Sequence, residues 1–133
     1  MNSKWSHTCF TNRKIIFNTS YSPENNPANS NSQAVLNATM DVMIARQLLT
    51  NTIAAGRLLG ESKEQLRIWQ RILDKLPEYQ VNEEGVLKEW IDSKYEDNYR
   101  HRHVSQLYTL YNDKDADILD HPELKMGAIN LLE

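Results

Sequence analysis

Residues 33–76 read QAVLNATMDVMIARQLLTNTIAAGRLLGESKEQLRIWQRILDKL, and this stretch decides the fold class. Its apolar side chains recur at steps of three and four residues, which is the spacing of one face of an α-helix. The periodicity predicts a first helix from about Gln33 to Leu59, with Gly60 as its C-terminal stop. The residues that form this stripe are Leu36, Met40, Met43, Ile44, Gln47, Leu48, Ile53 and Leu58, all apolar except Gln47.

The segment after Gly60 carries the signals of a second helix. Ser62 and Gln65 form a capping box, in which the serine side chain accepts a hydrogen bond from a free backbone amide. Pro77 ends this helix. Two helices joined by so short a turn form an antiparallel αα-hairpin.

The C-terminal third predicts two further helices. One begins near His103, and the other is capped by Asp120, with Pro122 in its first turn. No segment alternates apolar and polar residues over the length of a strand, so the predicted class is all-α.

Three parts of the chain lack helical periodicity. Residues 1–14 are polar and irregular, so the predicted domain spans residues 15–133. Residues 18–32 are rich in Asn, Ser and Pro, which favour turns, and they form either a linker or a loop that carries a site. Residues 77–102 form a second long irregular stretch, and such stretches in compact domains are often functional.

Composition argues against several function classes. A length of 133 residues corresponds to one domain or part of one. The net charge of −3, without a basic stripe, predicts neither a nucleic-acid nor an anionic-membrane partner. Cys9 is the only cysteine, so no internal disulfide is expected. No apolar run is long enough for a signal peptide or a membrane span, and the compartment stays open.

The stretch from Gly85 to Tyr111 combines side chains that suit a sugar site. It holds several carboxylates, the indole of Trp90 and a His-Arg-His triplet at residues 101–103. Carboxylates and arginine bind hydroxyl groups, while an indole covers the apolar face of a sugar ring. The alternative interpretation is a solvated acidic loop that precedes a helix.

Four motifs follow one another along the chain: SPEN at residues 22–25, MD at 40–41, EW at 89–90 and HRHVS at 101–105. In this order and spacing the sequence resembles glycoside hydrolase family 95, from about residue 15 to residue 132. The resemblance implies an inverting α-L-fucosidase or α-L-galactosidase built on an (α/α)6 barrel. It also implies that this chain is a helical-hairpin fragment of the barrel, because four helices cannot close a barrel of twelve.

The resemblance implies roles for several motif residues. Glu24 of SPEN is the implied general acid, which protonates the glycosidic oxygen as the bond to fucose breaks. Such a carboxyl must hold its proton near neutral pH, which favours apolar or like-charged surroundings. Arg102 and His103, together with His101, are the implied contacts to sugar hydroxyls.

Other motif positions have two alternative roles, have a structural role or depart from the family pattern. Glu89 and Trp90 match the EW pair and are predicted substrate-binding residues, with bracing of the loop as the alternative. Asp41 is expected to have a structural role near the barrel mouth. The family commonly has a histidine where this chain has Gln106, and a Pro-Gly turn at residues 112–113.

An inverting glycosidase also needs a base, whose carboxyl lies about 6.5–9.5 Å from that of the acid. The resemblance implies that this base is an Asp in an IDGNFG-like segment, assisted by two Asn in an NIN-like segment. Neither segment occurs in these 133 residues. The sequence therefore predicts a chain that is inactive alone, and exposed apolar helix faces that favour self-association.

Two other functions remain open at this point. The first is a non-catalytic helical module that binds sugar or protein and has lost the chemistry. The second is a metal site built from His101, His103 and His121 with His7 or Cys9, but their spacing is typical of no metal motif, so we predict no metal ligand. No cofactor is implied, and the predicted substrate is a fucosylated oligosaccharide or glycan, with fucose and L-galactose not distinguished.

Overall fold

The computed structural model describes residues 13–112 and 114–133, without the side chain of Asn112. The regular elements in this part of the chain are helical: α1 (Thr39–Leu59), α2 (Lys63–Leu73), a 3-10 turn (Ser105–Leu107), α3 (Tyr108–Asn112), α4 (Ala116–Leu119) and α5 (Pro122–Asn130). Extended pairing among these residues is limited to three isolated bridges. The all-α prediction is confirmed. The domain start at residue 15 stays a prediction, and residues 1–12 lie outside the described part.

The α1–α2 hairpin forms where the periodicity predicted it. Gly60 ends α1 in the left-handed conformation, with φ of 75°. The Ser62 side chain caps α2 by accepting a hydrogen bond from the Gln65 amide at 3.2 Å. A Cβ on Gly56 would lie only 2.8 Å from Trp69 Cζ3, so the two helices approach closely because Gly56 has no side chain.

The start of α1 differs from the prediction, because α1 begins at Thr39 and not near Gln33. Asn37 has a φ of 50°, which a right-handed helix cannot accommodate. The preceding segment is extended and pairs with other parts of the chain, through bridges from Val35 to Ser20 and from Ala38 to Trp90. These long-range backbone contacts outweigh the local helical pattern of residues 33–38.

The prediction that Asp120 caps the last helix is wrong, because Asp120 lies at the C-terminal end of α4 and the N-cap residue of α5 is His121. The cap of α4 is Asp115, whose side chain accepts a hydrogen bond from the Ile118 amide. Asp115 is held in place because its carboxylate also accepts hydrogen bonds from the hydroxyls of Tyr79 and Thr109, at 3.0 and 2.7 Å. Such long-range partners leave no signal in the spacing of neighbouring residues.

The last helix, α5, begins with Pro122 at its first turn, as predicted. His121 precedes it as the N-cap residue, and no side-chain hydrogen bond caps the helix. The predicted helix near His103 begins slightly later, with the 3-10 turn Ser105–Leu107 leading into α3. Pro122 predicted the start of α5 correctly because the fixed φ of proline suits the first turn of a helix in any tertiary context.

Two groups of buried side chains hold these elements together. The larger lies between α1 and the C-terminal helices, and its buried members are Val42, Met43, Leu76, Tyr79, Leu87, Leu107, Ile118 and Ala128. The smaller lies at the start of α1 and consists of Val35, Ala38 and Trp90, with Tyr95 packed against it. This smaller core joins the N-terminal loop region to the segment around residue 90.

Several large apolar side chains point to solvent, most of all Leu48, Leu58, Leu59, Tyr111 and Leu132. This agrees with the expected exposed apolar faces, and self-association through them stays a prediction. In the described ranges, no helix combines the length and the apolar character that crossing a membrane requires.

Candidate functional site

The SPEN motif forms a tight turn that carries Glu24. The Asn25 amide donates to the Ser22 carbonyl at 3.1 Å, which closes a four-residue turn. Glu24 occupies the third position with a φ of 59°, and Pro23 precedes it. Proline at the second position and positive φ at the third are typical of a type II turn. The acid candidate thus stands at the tip of a defined turn.

The Glu24 carboxylate meets the HRH motif at the surface. Arg102 Nη2 contacts Glu24 Oε2, and His103 Nε2 lies 3.5 Å from the same oxygen. Glu24 and Arg102 are 78 positions apart in the sequence, and the fold brings them together. The Glu24 side chain is 57% exposed and faces a cation, so the apolar or like-charged surroundings expected of a general acid are not observed here.

His101 is half-buried and adjoins this group without touching Glu24 in the described contacts. Its ring lies beside that of His103, with 5.1 Å between centroids and a tilt of 48°. Its Nδ1 accepts a hydrogen bond from the His103 amide at 3.3 Å, which orients the ring. Glu24, Arg102, His103 and His101 therefore form one open polar surface, and we call these four residues the Glu24 surface.

Glu89 lies beneath this surface and is not part of it, since it is only 2% exposed. Its Oε1 accepts from the Ser22 hydroxyl at 2.5 Å, and its Oε2 accepts from Asn25 Nδ2 at 2.7 Å. Ser105, which follows the HRH motif, lies 2.8 Å from Ser22 through the two hydroxyl oxygens. A buried carboxylate of the EW motif therefore joins the SPEN turn to the HRHVS motif. The predicted sugar contact of Glu89 stays a prediction, and its burial favours the bracing alternative.

Burial raises the pKa of the Glu89 carboxyl above its ordinary value of 4.5. Hydrogen bonds from Ser22, Asn25 and Ser105 oppose this shift, whereas the nearby charge of Asp97 adds to it. Burial removes the carboxylate from water, which disfavours its charged form. The folded protein therefore binds a proton at Glu89 more readily than the unfolded chain does.

This raised pKa predicts a pH-dependent difference between the wild type and Glu89→Gln. The contribution of Glu89 to the free energy of unfolding is greatest below pH 4.5 and falls as the pH rises through the raised pKa of the folded state. The free energy of unfolding of the wild type minus that of Glu89→Gln should fall as the pH rises from 4.5 to the raised pKa of Glu89. The fall is at most about 1.4 kcal/mol per pH unit, and the difference levels off above that pKa. Urea unfolding of both proteins between about pH 4 and pH 8 measures this difference. A difference that grows with pH contradicts the assigned direction.

Trp90 is fully buried, with 0% of its surface exposed. It packs in the smaller core with Val35 and Ala38, and its indole Nε1 has no hydrogen-bond partner among the described residues. An indole in this position contributes apolar contact and presents no face to a ligand. Its predicted role in sugar binding stays a prediction that the burial of the side chain does not favour.

Asp41 and Asp97 hold loop segments in place through hydrogen bonds and an ion pair. Asp41 Oδ2 accepts from the Ser20 hydroxyl at 2.5 Å and from the Tyr21 amide at 3.2 Å, which agrees with the expected structural role. Asp97 Oδ1 accepts from the Glu89 amide at 3.0 Å, and its Oδ2 lies 3.3 Å from Lys88 Nζ. Asp41 thus fixes the segment that precedes the SPEN turn, and Asp97 fixes the backbone at Glu89.

Sequence reasoning missed the supporting roles of Ser22, Asn25, Ser105 and Asp97. The first three belong to the SPEN and HRHVS motifs, so the motifs themselves carried a signal for them. Gln106, at the position of the family's histidine, is buried, and its Oε1 has no partner in the described chain.

The metal alternative receives no support from the described residues. Across residues 13–112 and 114–133, no group of three or more His, Cys, Asp or Glu side chains could hold a metal ion. His7 and Cys9 of that hypothesis lie outside the described part.

Comparison with known proteins extends these observations. The family model that describes the glycosyl hydrolase family 95 catalytic domain matches residues 4–133 of this chain. An alpha-L-fucosidase 2 from Arabidopsis thaliana is 29% identical over 112 residues, which cover 80% of this chain and 13% of the relative. The chain therefore spans about an eighth of the length of this relative.

Proposed function

The chain belongs to the glycosyl hydrolase family 95 catalytic domain family, and from this premise we propose that it supplies the general acid of an inverting α-L-fucosidase. The proposed substrate is a terminal α-L-fucose of an oligosaccharide or glycan. Glu24 protonates the glycosidic oxygen, while Arg102 and His103, with His101 beside them, bind sugar hydroxyls.

The observation that carries this proposal is the contact between Glu24 and Arg102. Two motifs that are far apart in the sequence meet at an exposed surface. An exposed carboxylate and guanidinium pair contributes at most about 1 kcal/mol to stability, so folding does not require the pair to be there. An arginine that can fork two hydroxyls, placed next to a carboxyl, is instead suited to binding a sugar beside that carboxyl.

The proposed reaction proceeds in one displacement. As the sugar binds, Arg102 exchanges its contact with Glu24 for sugar hydroxyls. The freed Glu24 carboxylate takes up a proton from solvent and then delivers this proton to the leaving oxygen. Water attacks the opposite face of the ring with help from a base whose carboxyl lies about 6.5–9.5 Å from that of the acid. We assign the base to a part of a longer protein outside these 133 residues, so the chain alone completes only half of the site.

Two measurements test this function. A longer protein that contains this chain should release β-L-fucose as the first-formed anomer from a glycan with terminal α-L-fucose, as seen by proton NMR, because inversion changes the anomeric configuration. Release of the α-anomer, or binding of L-fucose without any turnover, contradicts the proposal; the second outcome supports the non-catalytic module instead.

The 133-residue chain alone should release no fucose from the same glycan. This expectation follows from the division of acid and base between segments, since protonation without an activated water leaves the bond intact. Fucose release by the chain that Glu24→Gln abolishes overturns this division, and it shows that a carboxylate within the chain acts as the base.

A further inference from the structure

Both ends of the SPEN turn are bound to the same buried carboxylate. Ser22 opens the turn and donates its hydroxyl to Glu89 Oε1, whereas Asn25 closes the turn and donates its side-chain amide to Glu89 Oε2. Asn25 is itself buried, and its Nδ2 also donates to the Asn98 carbonyl at 3.1 Å. We call Glu89, Ser22 and Asn25 the Glu89 clamp.

The residue between these two ends needs such support. Glu24 has a φ of 59°, a region that residues with a Cβ enter at a penalty of roughly 1–2 kcal/mol. Glycine or asparagine is the usual residue at this position of a type II turn. A glutamate stays there only where the surrounding structure holds the turn in place. The Tyr21 hydroxyl adds to this support by accepting from the Glu24 amide at 2.5 Å.

The clamp also contacts the HRHVS segment, whose Arg102 and His103 bind the Glu24 carboxylate. Ser105 lies 2.8 Å from the Ser22 hydroxyl and 3.5 Å from Glu89 Oε1. Ser105 follows Arg102 and His103 by only two or three residues, so one buried carboxylate sets the position of both halves of the Glu24 surface.

We propose that Glu89 is a positioning residue, whose clamp on Ser22 and Asn25 holds the strained turn and thereby aims the Glu24 carboxyl at the glycosidic oxygen. The clamp itself stands on the geometry of this chain, and its catalytic consequence rests on the proposed function. Glu89 acts through Glu24 and has no contact with substrate, because its side chain is buried beneath the turn.

The first test uses the 133-residue chain and needs no activity. In Glu89→Ala and in Asn25→Ala, exchange of the residue 25 amide hydrogen, measured by NMR, should speed up by about tenfold or more, since that amide closes the turn. The amides of Val42 and Met43 in α1 report whether the core remains folded. The matched control is Glu83→Ala, an exposed carboxylate of the same loop region, which should leave exchange at residue 25 unchanged.

Two variants are used because Glu89→Ala removes a buried group and could unfold the chain. If α1 loses its protection in Glu89→Ala, the milder Asn25→Ala decides the result. Exchange at residue 25 that stays at the wild-type rate in a folded clamp variant overturns the proposal.

The second test measures positioning in the longer, active protein. A displaced acid matters for a leaving group that needs a proton, and it matters much less for 2,4-dinitrophenolate, which leaves without one. Asn25→Ala should therefore lower kcat on a fucosylated glycan by at least about tenfold more than on 2,4-dinitrophenyl α-L-fucoside. A variant that merely destabilises the fold lowers both rates by the same factor, and that outcome overturns the positioning role.

The two tests separate the clamp from the proposed function. If the wild-type protein cleaves neither substrate, the proposed function fails, and the exchange experiment still decides whether Glu89 holds the turn. If the wild type cleaves both substrates and the clamp variants lower kcat on both by the same factor, the proposed function stands and the positioning role fails.

Discussion

Glu24→Gln should lower kcat on a fucosylated glycan by about 10²–10⁴-fold in a longer protein that contains this chain, because general acid catalysis contributes a factor of this size. Glutamine has nearly the shape of glutamic acid and has no proton to give. A sugar alcohol is a poor leaving group, so its departure depends on the missing proton. The comparison of steady-state kinetics for wild type and variant measures the loss.

The leaving group makes this prediction specific to an acid. On 2,4-dinitrophenyl α-L-fucoside the same variant should lower kcat by a much smaller factor, because that leaving group departs as an anion and needs no proton. Equal losses on both substrates contradict the assigned role and indicate that Glu24 contributes to binding or folding. Glu83→Gln is the matched control, since Glu83 is an exposed carboxylate that does not belong to the Glu24 surface, and it should leave both rates unchanged.

Trp90→Ala should lower the free energy of unfolding of the chain by about 3–5 kcal/mol, the usual range for a large aromatic side chain removed from a core. Trp90 is fully buried and fills the smaller core against Val35 and Ala38. Alanine leaves a cavity there, and the neighbouring backbone is fixed by the bridge from Ala38 to residue 90. Urea unfolding followed by circular dichroism measures the change.

The matched control for this variant is Tyr111→Ala, an aromatic side chain that is 68% exposed. It should change the free energy of unfolding by no more than about 0.5 kcal/mol. If Trp90→Ala leaves stability intact and abolishes sugar binding, the indole is a sugar platform and the core assignment is wrong. A large loss of stability in Trp90→Ala alone supports the core assignment.

Local patterns predicted the helical part of the fold. The α1–α2 hairpin, the stop at Gly60 and the cap at Ser62 follow from features within one or two turns of helix. Periodicity marks which face of a helix is apolar, and a capping serine acts on an amide three residues away. Such interactions depend on neighbouring residues, so they can be read without knowledge of the tertiary structure.

The family was also accessible from the sequence, because the order and spacing of the four motifs do not depend on knowing their contacts. The match of the family model to residues 4–133 confirms that recognition. The motifs did not reveal which of their members face solvent. Glu24 and Glu89 are both glutamates of a motif, yet one is half-exposed and the other is buried.

Only the tertiary structure decided the positions of those side chains and the start of α1. Asn37 in a left-handed conformation, paired segments and the burial of Trp90 all depend on residues that are distant in the chain. The contact between Glu24 and Arg102 joins positions 78 residues apart. A local pattern carries the preference of a segment for helix or turn, whereas burial and the meeting of two loops are set by long-range packing.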